Sequence, residues 1–290
     1  MAHIRELARA KINLDLHVLG RRPDGYHDID SLMAFTAFGD VVDIDPAPGL
    51  ILTLSGPFAA GLPVDETNLV LRAARGLQAV TGIRAGAMLA VTKLIPSAAG
   101  LGGGSADAGA TLRGLCRLWG VTPAQDVLTK LAASLGADVP ACLSSRPVRA
   151  TGIGEQLESL VLPAGLGVLL VNPRLPLPTA AVFRGLRAPF AAVPGPPARL
   201  DRDGLPAALA SRRNDLELPA IAVCPAIAEV LAALRSLPGC RLVRMSGSGA
   251  SCFALFADAD EAHDAGERLA VYHADWWIQA TTLDSAAAEG

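Results

Sequence analysis

The chain has 290 residues, 25 basic and 28 acidic side chains, and a formal net charge of −3 at pH 7. This balance lacks the positive excess that binds nucleic acid or an anionic membrane surface, so we expect a small-molecule partner. The length exceeds that of a usual single hydrophobic core. It therefore predicts two domains, residues 1–155 and 156–290.

The five cysteines are odd in number and include no Cys-x-x-Cys pair, which argues against a disulfide framework and against a zinc site. Such cysteine usage fits a reducing cytoplasm. The first residues are charged rather than apolar, and no stretch approaches the about 18 apolar residues that span a bilayer. We therefore expect a soluble, cytoplasmic protein, either a monomer or a homodimer.

Residues 10–19 alternate apolar and polar side chains, which predicts a strand with one buried face and with Lys11 and Asn13 together on the other face. Residues 21–27 (Arg-Arg-Pro-Asp-Gly-Tyr-His) predict a turn that presents a tyrosine beside a histidine. Further patterns predict strands at 41–44, 50–54 and 87–95 and a helix at 68–80.

The most informative segment is the glycine run at residues 97–108, which follows a predicted strand and opens onto an alanine-rich helix. Its glycines can take positive φ and let a polyphosphate approach the backbone. Ser105 suits the N-cap position, and Ala108, Leu112 and Leu115 form one apolar helix face. Because a helix N-terminus attracts anions, the segment predicts a nucleotide phosphate site.

Two better-known phosphate loops do not match this segment. No lysine follows Gly104, so the Walker pattern is absent. Asp126, the acidic residue nearest the spacing of a dinucleotide fingerprint, lies inside a predicted helix. A flexible turn without a ligand remains open as the simpler interpretation.

Lysine is rare in this chain, with three residues against 22 arginines. The remaining lysines are therefore enriched for positions that need a compact ammonium group, and Lys11 and Lys93 are candidates. Chance retention explains either one equally well. Asp138 precedes a short apolar element and is a candidate helix cap or a candidate acid–base group.

The second half of the chain predicts an α+β domain. A loop or irregular crossover is expected at 187–206, and a second glycine loop occupies 246–251. The remaining patterns give strand, helix, strand, strand, helix and strand in that order. They lie at 168–171, 225–234, 242–245, 252–256, 260–269 and 276–280.

Three motifs in this order resemble the superfamily of galactokinase, homoserine, mevalonate and phosphomevalonate (GHMP) kinases: residues 10–16, 96–106 and 246–251. Within it, Asp24-Gly-Tyr-His and the segment 135–140 (Leu-Gly-Ala-Asp-Val-Pro) are similar to the family of 4-diphosphocytidyl-2-C-methyl-D-erythritol kinases. The resemblance implies a two-domain GHMP kinase fold, with an N-terminal ATP-binding domain and a C-terminal ferredoxin-like substrate domain.

The resemblance also implies an activity, the ATP-dependent phosphorylation of the 2-hydroxyl group of the methylerythritol unit, in the non-mevalonate route to isoprenoid precursors. It assigns Asp138 as the base, with Lys11 keeping that carboxylate ionised and steadying developing charge. Mg²⁺ is expected with ATP, and Ser105 is a candidate ligand. The catalytic residues implied are Lys11 and Asp138.

The binding residues implied form two groups. ATP-side residues are Asn68, Lys93, Pro96, Ser97, Ala98, Ala99, Gly100, Leu101, Gly102, Gly103, Gly104, Ser105 and Ala106. Substrate-side residues are Asn13, Tyr26, His27, Asp138, Gly247, Ser248 and Gly249, of which Tyr26 and His27 would hold the cytosine. Asn214-Asp215 matches a further pattern of the family, with Asn214 expected as a helix cap. Another GHMP-type kinase, and a non-catalytic nucleotide- or sugar-binding regulator, are the alternatives.

Overall fold

The computed structural model describes residues 3–188, 190, 193, 195 and 201–284. The chain forms two compact units that interleave along the sequence. The first unit comprises Met1–Ala10, Phe38–Ser97 and Gly102–Ser145, and the second comprises Lys11–Ala37, Ala98–Leu101 and Arg146–Gly290. The division into residues 1–155 and 156–290 stays a prediction about domain organisation.

Eleven strands and nine helices make up the described part of the chain. The strands are β1 (Ile4–Asn13), β2 (His17–Arg21), β3 (His27–Ala47), β4 (Leu50–Ser55), β5 (Gly86–Thr92), β6 (Val148–Gly152), β7 (Gln156–Ser159), β8 (Gly167–Asn172), β9 (Leu242–Met245), β10 (Cys252–Phe256) and β11 (Trp277–Asp284). The helices are α1 (Leu69–Thr81), α2 (Gly103–Trp119), α3 (Gln125–Leu135), α4 (Val139–Ser144), α5 (Thr179–Arg184), α6 (Gly204–Ala210), α7 (Glu217–Val223), α8 (Ala226–Arg235) and α9 (Ala259–Tyr272).

In the first unit, β5 lies between two strands: it pairs antiparallel with residues 41–47 of β3 and parallel with β4. The helices of this unit are α1 to α4. The side chain of Asn68 caps α1 by accepting the amide of Val70, and Gly82 ends the helix in the left-handed conformation. Gly109 lets α2 approach α4, because a Cβ there would lie 2.7 Å from the carbonyl carbon of Cys142.

In the second unit, four antiparallel strands lie in the order β11, β8, β10 and β9. With α8 and α9 between them in the chain, this is the ferredoxin-like arrangement, so the predicted strand and helix order is confirmed. The apolar core of this unit includes Ile227 and Val230 of α8 and Leu269 of α9. Residues 27–36 of β3 add pairings with β2, β6 and β11.

Several local predictions were wrong. The predicted strand at 10–19 is interrupted between Asn13 and His17, because the carboxylate of Asp15 accepts the amide of Leu32 (2.7 Å) in place of a backbone ladder bond. Both faces of the segment are buried, where one buried face was predicted. Ser105 is not an N-cap, since α2 begins at Gly103 after Gly102.

Some elements had no predictive pattern. Strands β6 and β7 and helices α5, α6 and α7 were not predicted. Helix α6 begins at Gly204, inside the segment 187–206 that was predicted to be irregular. Three of its first four residues, Leu205, Pro206 and Ala207, are apolar, and the side chains of Leu205 and Pro206 are buried. Residues 189, 191, 192, 194 and 196–200 of that segment lie outside the described residues.

Candidate active site

The N-terminal motif ends β1 with two buried polar side chains. The ammonium group of Lys11 donates to Oδ1 of Asn13 (2.9 Å), and Nδ2 of Asn13 donates to Oγ of Ser31 (2.7 Å). Lys11 is 4 % exposed and Asn13 is 1 % exposed. The prediction that these two side chains share a strand face is therefore confirmed. Burial at this level is unusual for lysine and is tolerated here with the ammonium group hydrogen-bonded to Asn13.

The hydroxyl group of Ser246 joins this motif to both glycine loops within the second unit. It accepts the amide of Asn13 (3.1 Å) and donates to the carbonyl of Gly100 (2.9 Å). The amide of Lys11 also donates to the carbonyl of Leu101 (2.9 Å). Three segments that are far apart in sequence thus share one hydrogen-bonded seam, and Ser246 is completely buried in it.

Two further contacts hold the second glycine loop. The amide of Ser251 donates to the carbonyl of Ala99 (3.1 Å). Nδ2 of Asn214 donates to the carbonyls of Met245 and Gly247, both at 2.8 Å. Asn214 is not the cap of α7, whose N-cap position is Leu216, although its Oδ1 accepts the amide of that residue. Its main contacts fix the loop.

The first glycine loop takes positive φ at two of its four glycines. Positive φ occurs at Ala98 (53°), Gly100 (75°) and Gly102 (66°). Gly103 and Gly104 are the first helical residues of α2 and do not take positive φ. The capacity of the loop glycines for positive φ is therefore not used by these two, which start the helix with its first amides unpaired.

Gly100 has less room for a side chain than Gly103 or Gly104 of the same loop. An added Cβ would lie 2.5 Å from the carbonyl oxygen of Ser246 and 2.8 Å from that of Gly249. We expect Gly100→Ala to lower the free energy of unfolding by at least about 2 kcal/mol, from left-handed backbone strain and from this clash. Urea unfolding measures the change.

Gly104→Ala is the matched control for that substitution. The added Cβ would only touch Cδ1 of Leu69 at 3.6 Å, and the position is helical and exposed. Alanine is a better helix former than glycine by about 1 kcal/mol, so this variant should be as stable as the wild type or slightly more stable. Equal stability of the two variants would contradict the assignment of strain to Gly100.

Asp138 lies in the first unit, between α3 and α4. It occupies the N-cap position of α4, yet its carboxylate makes no capping hydrogen bond. The side chain is partly exposed. The role of a helix cap therefore does not account for this carboxylate. Lys11, the other residue implied in catalysis, belongs to the second unit.

The turn at residues 22–26 is followed by His27, and the rings of Tyr26 and His27 have different surroundings. The amide of Arg22 donates to the carbonyl of Tyr26 (2.8 Å), and Tyr26 is 60 % exposed. The next residue, His27, packs its ring against Phe183 of α5, with centroids 5.1 Å apart and planes at 35°. Burial, with a smaller contribution from Arg21, lowers the pKa of His27, so the imidazole is neutral at pH 7 and has one donor and one acceptor nitrogen. Phe183 was missed, because no local pattern marks an aromatic residue on so short a helix.

The two remaining ATP-side candidates have clear structural partners. Asn68 caps α1 and donates from Nδ2 to the carbonyl of Pro63 (2.7 Å). Lys93 follows β5 and is 4 % exposed, and its ammonium group binds the carboxylates of Asp40 and Asp107. Neither carboxylate was singled out from the sequence, since a lone Asp on a strand or in a helix carries no local signal.

The substrate-side glycine loop is held tightly in the second unit. Gly247 and Gly249 take positive φ, at 56° and 83°. Oγ of Ser248 lies 2.9 Å from Oγ1 of Thr179, the first residue of α5. Thr179 therefore connects this loop with the helix that contains Phe183.

Comparisons with known proteins agree with this arrangement of motifs. The family description "GHMP kinases N terminal domain" matches residues 68–146, and "GHMP kinases C terminal" matches residues 200–274. The chain is 48 % identical, over 95 % of its length and 97 % of the relative, to the 4-diphosphocytidyl-2-C-methyl-D-erythritol kinase of Paramagnetospirillum magneticum. It is 50 % identical to the enzyme of that name from Paracoccus denitrificans, over 97 % of each chain. The chain belongs to this kinase family.

Solved structures extend the comparison to the fold of this kinase family. A crystal structure of 4-(cytidine 5'-diphospho)-2C-methyl-D-erythritol kinase matches with a TM-score of 0.80 and 36 % identity, covering 97 % of this chain and 99 % of that one. The homoserine kinase of Cytophaga hutchinsonii matches with a TM-score of 0.74 at 19 % identity, covering 98 % and 96 %, and so shows only the shared fold. The expected GHMP kinase fold is therefore confirmed.

Metal-binding clusters and membrane spans are both absent from the part of the chain that the structure describes. Those residues contain no group of three or more His, Cys, Asp or Glu side chains that could hold a metal ion. They also contain no helix long and apolar enough to cross a membrane.

Proposed function

We propose that this kinase transfers the γ-phosphoryl group of ATP to the 2-hydroxyl group of 4-diphosphocytidyl-2-C-methyl-D-erythritol. The observation that carries the proposal is the seam around Ser246, which joins the Lys11 motif, the phosphate loop and the second glycine loop by direct hydrogen bonds. These hydrogen bonds hold the three motifs in fixed positions within the second unit, and the family uses these motifs to bind both ATP and the acceptor substrate. The membership of the family supplies the identity of those substrates.

The reaction needs positioning and charge neutralisation more than covalent chemistry. The oxygen of the 2-hydroxyl group attacks the γ-phosphorus, the bond from that phosphorus to the β,γ-bridging oxygen breaks, and ADP leaves. The hydroxyl proton passes to the carboxylate of Asp138. Lys11 stabilises the charge that develops on the transferring group, and Asn13 holds the ammonium of Lys11 in place through the 2.9 Å hydrogen bond.

The phosphates of ATP would lie against the first turn of α2. The amides of Gly103, Gly104 and Ser105 have no partner within a helix that begins at Gly103, so they can bind anionic oxygens. Because the described residues offer no carboxylate cluster, Mg²⁺ would take most of its ligands from the phosphates and water. Ser105 is the candidate protein ligand, and the ion would neutralise phosphate charge.

The cytosine would lie at the turn that contains Tyr26 and His27. The exposed ring of Tyr26 offers a face for stacking, and the neutral imidazole of His27 offers both a donor and an acceptor to the edge of the base. Phe183 holds the imidazole from the other side and adds apolar surface. Thr179 and Ser248 are hydroxyl groups beside the same helix start and suit the polar part of the substrate.

Tyr26→Ala should weaken binding of the cytidyl substrate by about 1–3 kcal/mol, the range found for stacking of a base on an aromatic ring. Affinity for ATP should stay within about twofold of the wild type. Calorimetry on each ligand separately gives both values. Tyr272→Ala is the matched control, because Tyr272 is the other tyrosine and is 83 % exposed. An equal loss for the two ligands would remove the cytosine assignment.

The experiment that tests the proposed function is an ADP-release assay with four acceptors: the cytidyl substrate, its uridyl analogue, mevalonate and homoserine. We expect turnover with the cytidyl compound and at least about tenfold lower kcat/KM with each of the others. Preference for mevalonate or homoserine would identify a different GHMP-type kinase. Ligand binding without ADP release would identify a non-catalytic regulator. We place the enzyme in the cytoplasm, as a monomer or homodimer.

A further inference from the structure

A buried cluster of three charges lies in the first unit, apart from the groups assigned to the reaction. The ammonium group of Lys93 binds one carboxylate oxygen of Asp40 and one of Asp107. The exposed fractions are 4 % for Lys93, 0 % for Asp40 and 4 % for Asp107. Charged side chains that are buried to this extent are almost always paired. The ammonium group of Lys93 is paired with the carboxylates of Asp40 and Asp107.

Asp40 connects this cluster with the start of the phosphate loop. Its second oxygen accepts the amides of Leu94 (2.5 Å) and Ile95 (2.8 Å), the two residues before Pro96. The backbone of Lys93 is also fixed, since its amide donates to the carbonyl of Ser55 (2.7 Å). The chain therefore leaves β5 toward the loop in one defined direction.

The same cluster contacts the end of the loop. Asp107 lies in α2, one turn after its first residue, Gly103. A Cβ added at Gly103 would lie 3.5 Å from Oδ2 of Asp40, so the helix start is packed beside that carboxylate. Lys93 thus bridges the strand before the loop and the helix after it.

We propose that Lys93 is a positioning residue for ATP binding: with Asp40 and Asp107 it holds both ends of the phosphate loop, and it is not itself a nucleotide ligand. This proposal rests on the function proposed above. It changes the assignment implied by the family resemblance, which places Lys93 on the adenosine side of the site. The ammonium group of Lys93 binds the carboxylates of Asp40 and Asp107, which belong to the same unit.

The test uses Lys93→Met, Asp107→Asn and the double variant, with Lys130→Met as the control because Lys130 is an exposed lysine on α3. Hydrogen exchange of residues 94–106 in the nucleotide-free protein reports loop order. Calorimetry reports the affinities for ATP and for the cytidyl substrate. The exchange measurement needs no ligand, so it tests the cluster even if the wild type does not bind ATP and the proposed function fails.

We expect each single variant to speed exchange of residues 94–106 at least about tenfold and to weaken ATP binding at least about tenfold. Binding of the cytidyl substrate should change less than about twofold, a split that a general loss of stability does not produce. The double variant should bind ATP within about twofold of the weaker single variant, because both residues act through one cluster.

Three results would overturn the proposal. Weaker ATP binding by Lys93→Met with unchanged exchange would make Lys93 a direct ligand. Effects that multiply in the double variant would separate Lys93 from Asp107. A folded Lys93→Met protein with wild-type ATP affinity would leave the cluster a purely structural role. If Lys93→Met does not fold, Asp107→Asn keeps the shape of the side chain and gives the same two measurements.

Discussion

Asp138→Asn and Lys11→Met should each lower kcat by about 100-fold or more while the fold stays intact. Asparagine keeps the size of Asp138 but cannot accept the hydroxyl proton, and removal of a positioned general base typically has an effect of this size. Methionine keeps the length of Lys11 but removes the charge that stabilises the transferring phosphoryl group. KM for ATP should change much less than kcat in both variants.

The controls for this pair come from α3. Asp126 and Lys130 form an exposed ion pair, so Asp126→Asn and Lys130→Met make the same chemical changes on the surface. Both should keep wild-type kcat. The double variant of Asp138 and Lys11 should be little worse than the worse single variant, because residues that serve one step are not additive. Near-normal turnover by a folded Asp138→Asn protein would reject Asp138 as the base.

Arg212→Leu should lower the free energy of unfolding by about 3–5 kcal/mol at pH 7. The guanidinium group of Arg212 binds the carboxylate of Asp15, and both side chains are almost completely buried. Removal of one partner of a buried ion pair leaves an uncompensated charge, which accounts for this magnitude. Arg75→Leu is the control, because its ion pair with Glu66 is exposed and should contribute less than about 1 kcal/mol.

The pH dependence of this variant has a definite sign. Burial raises the pKa of Asp15 above its usual value, against the opposing effects of Leu32 and Arg212. A carboxyl group with a raised pKa in the folded state favours folding at low pH, and that contribution is lost as pH rises through the folded-state pKa. Loss of Arg212 raises the pKa of Asp15 further. The loss in the free energy of unfolding that Arg212→Leu causes, the deficit of the variant, should therefore shrink as pH falls from 7 toward 4. Urea unfolding at pH 7 and pH 5 measures it; a deficit that grows on acidification would contradict the buried-charge explanation.

The periodic spacing of apolar residues was sufficient to predict many of the helices and strands. The helix predicted at 68–80 corresponds to α1, and the alternation of strands and helices after residue 160 correctly predicted an α+β domain. The strand at 10–19 failed because the interruption depends on Asp15, whose buried partner Arg212 is 197 residues away. No local pattern contains that information.

The site shows the same division between local and distant information. The glycine loops, Lys11, Asn13 and the Tyr26–His27 turn were recognisable because each lies in a motif. Ser246 had a recognisable motif too, yet its role as the bridge between Asn13 and Gly100 depends on tertiary contacts. Asp40, Asp107 and Phe183 were missed because each acts through partners that are distant along the chain.

The position of the transferred phosphoryl group tests the account most directly. Phosphorus NMR of a reaction that contains the full-length protein, ATP, Mg²⁺ and 4-diphosphocytidyl-2-C-methyl-D-erythritol follows every phosphate at once. We predict one new phosphomonoester on the 2-oxygen of the methylerythritol unit for each ADP released, with the diphosphate bridge of the substrate unchanged. ADP release with inorganic phosphate as the product, or a phosphate on any other oxygen of the substrate, would contradict the account.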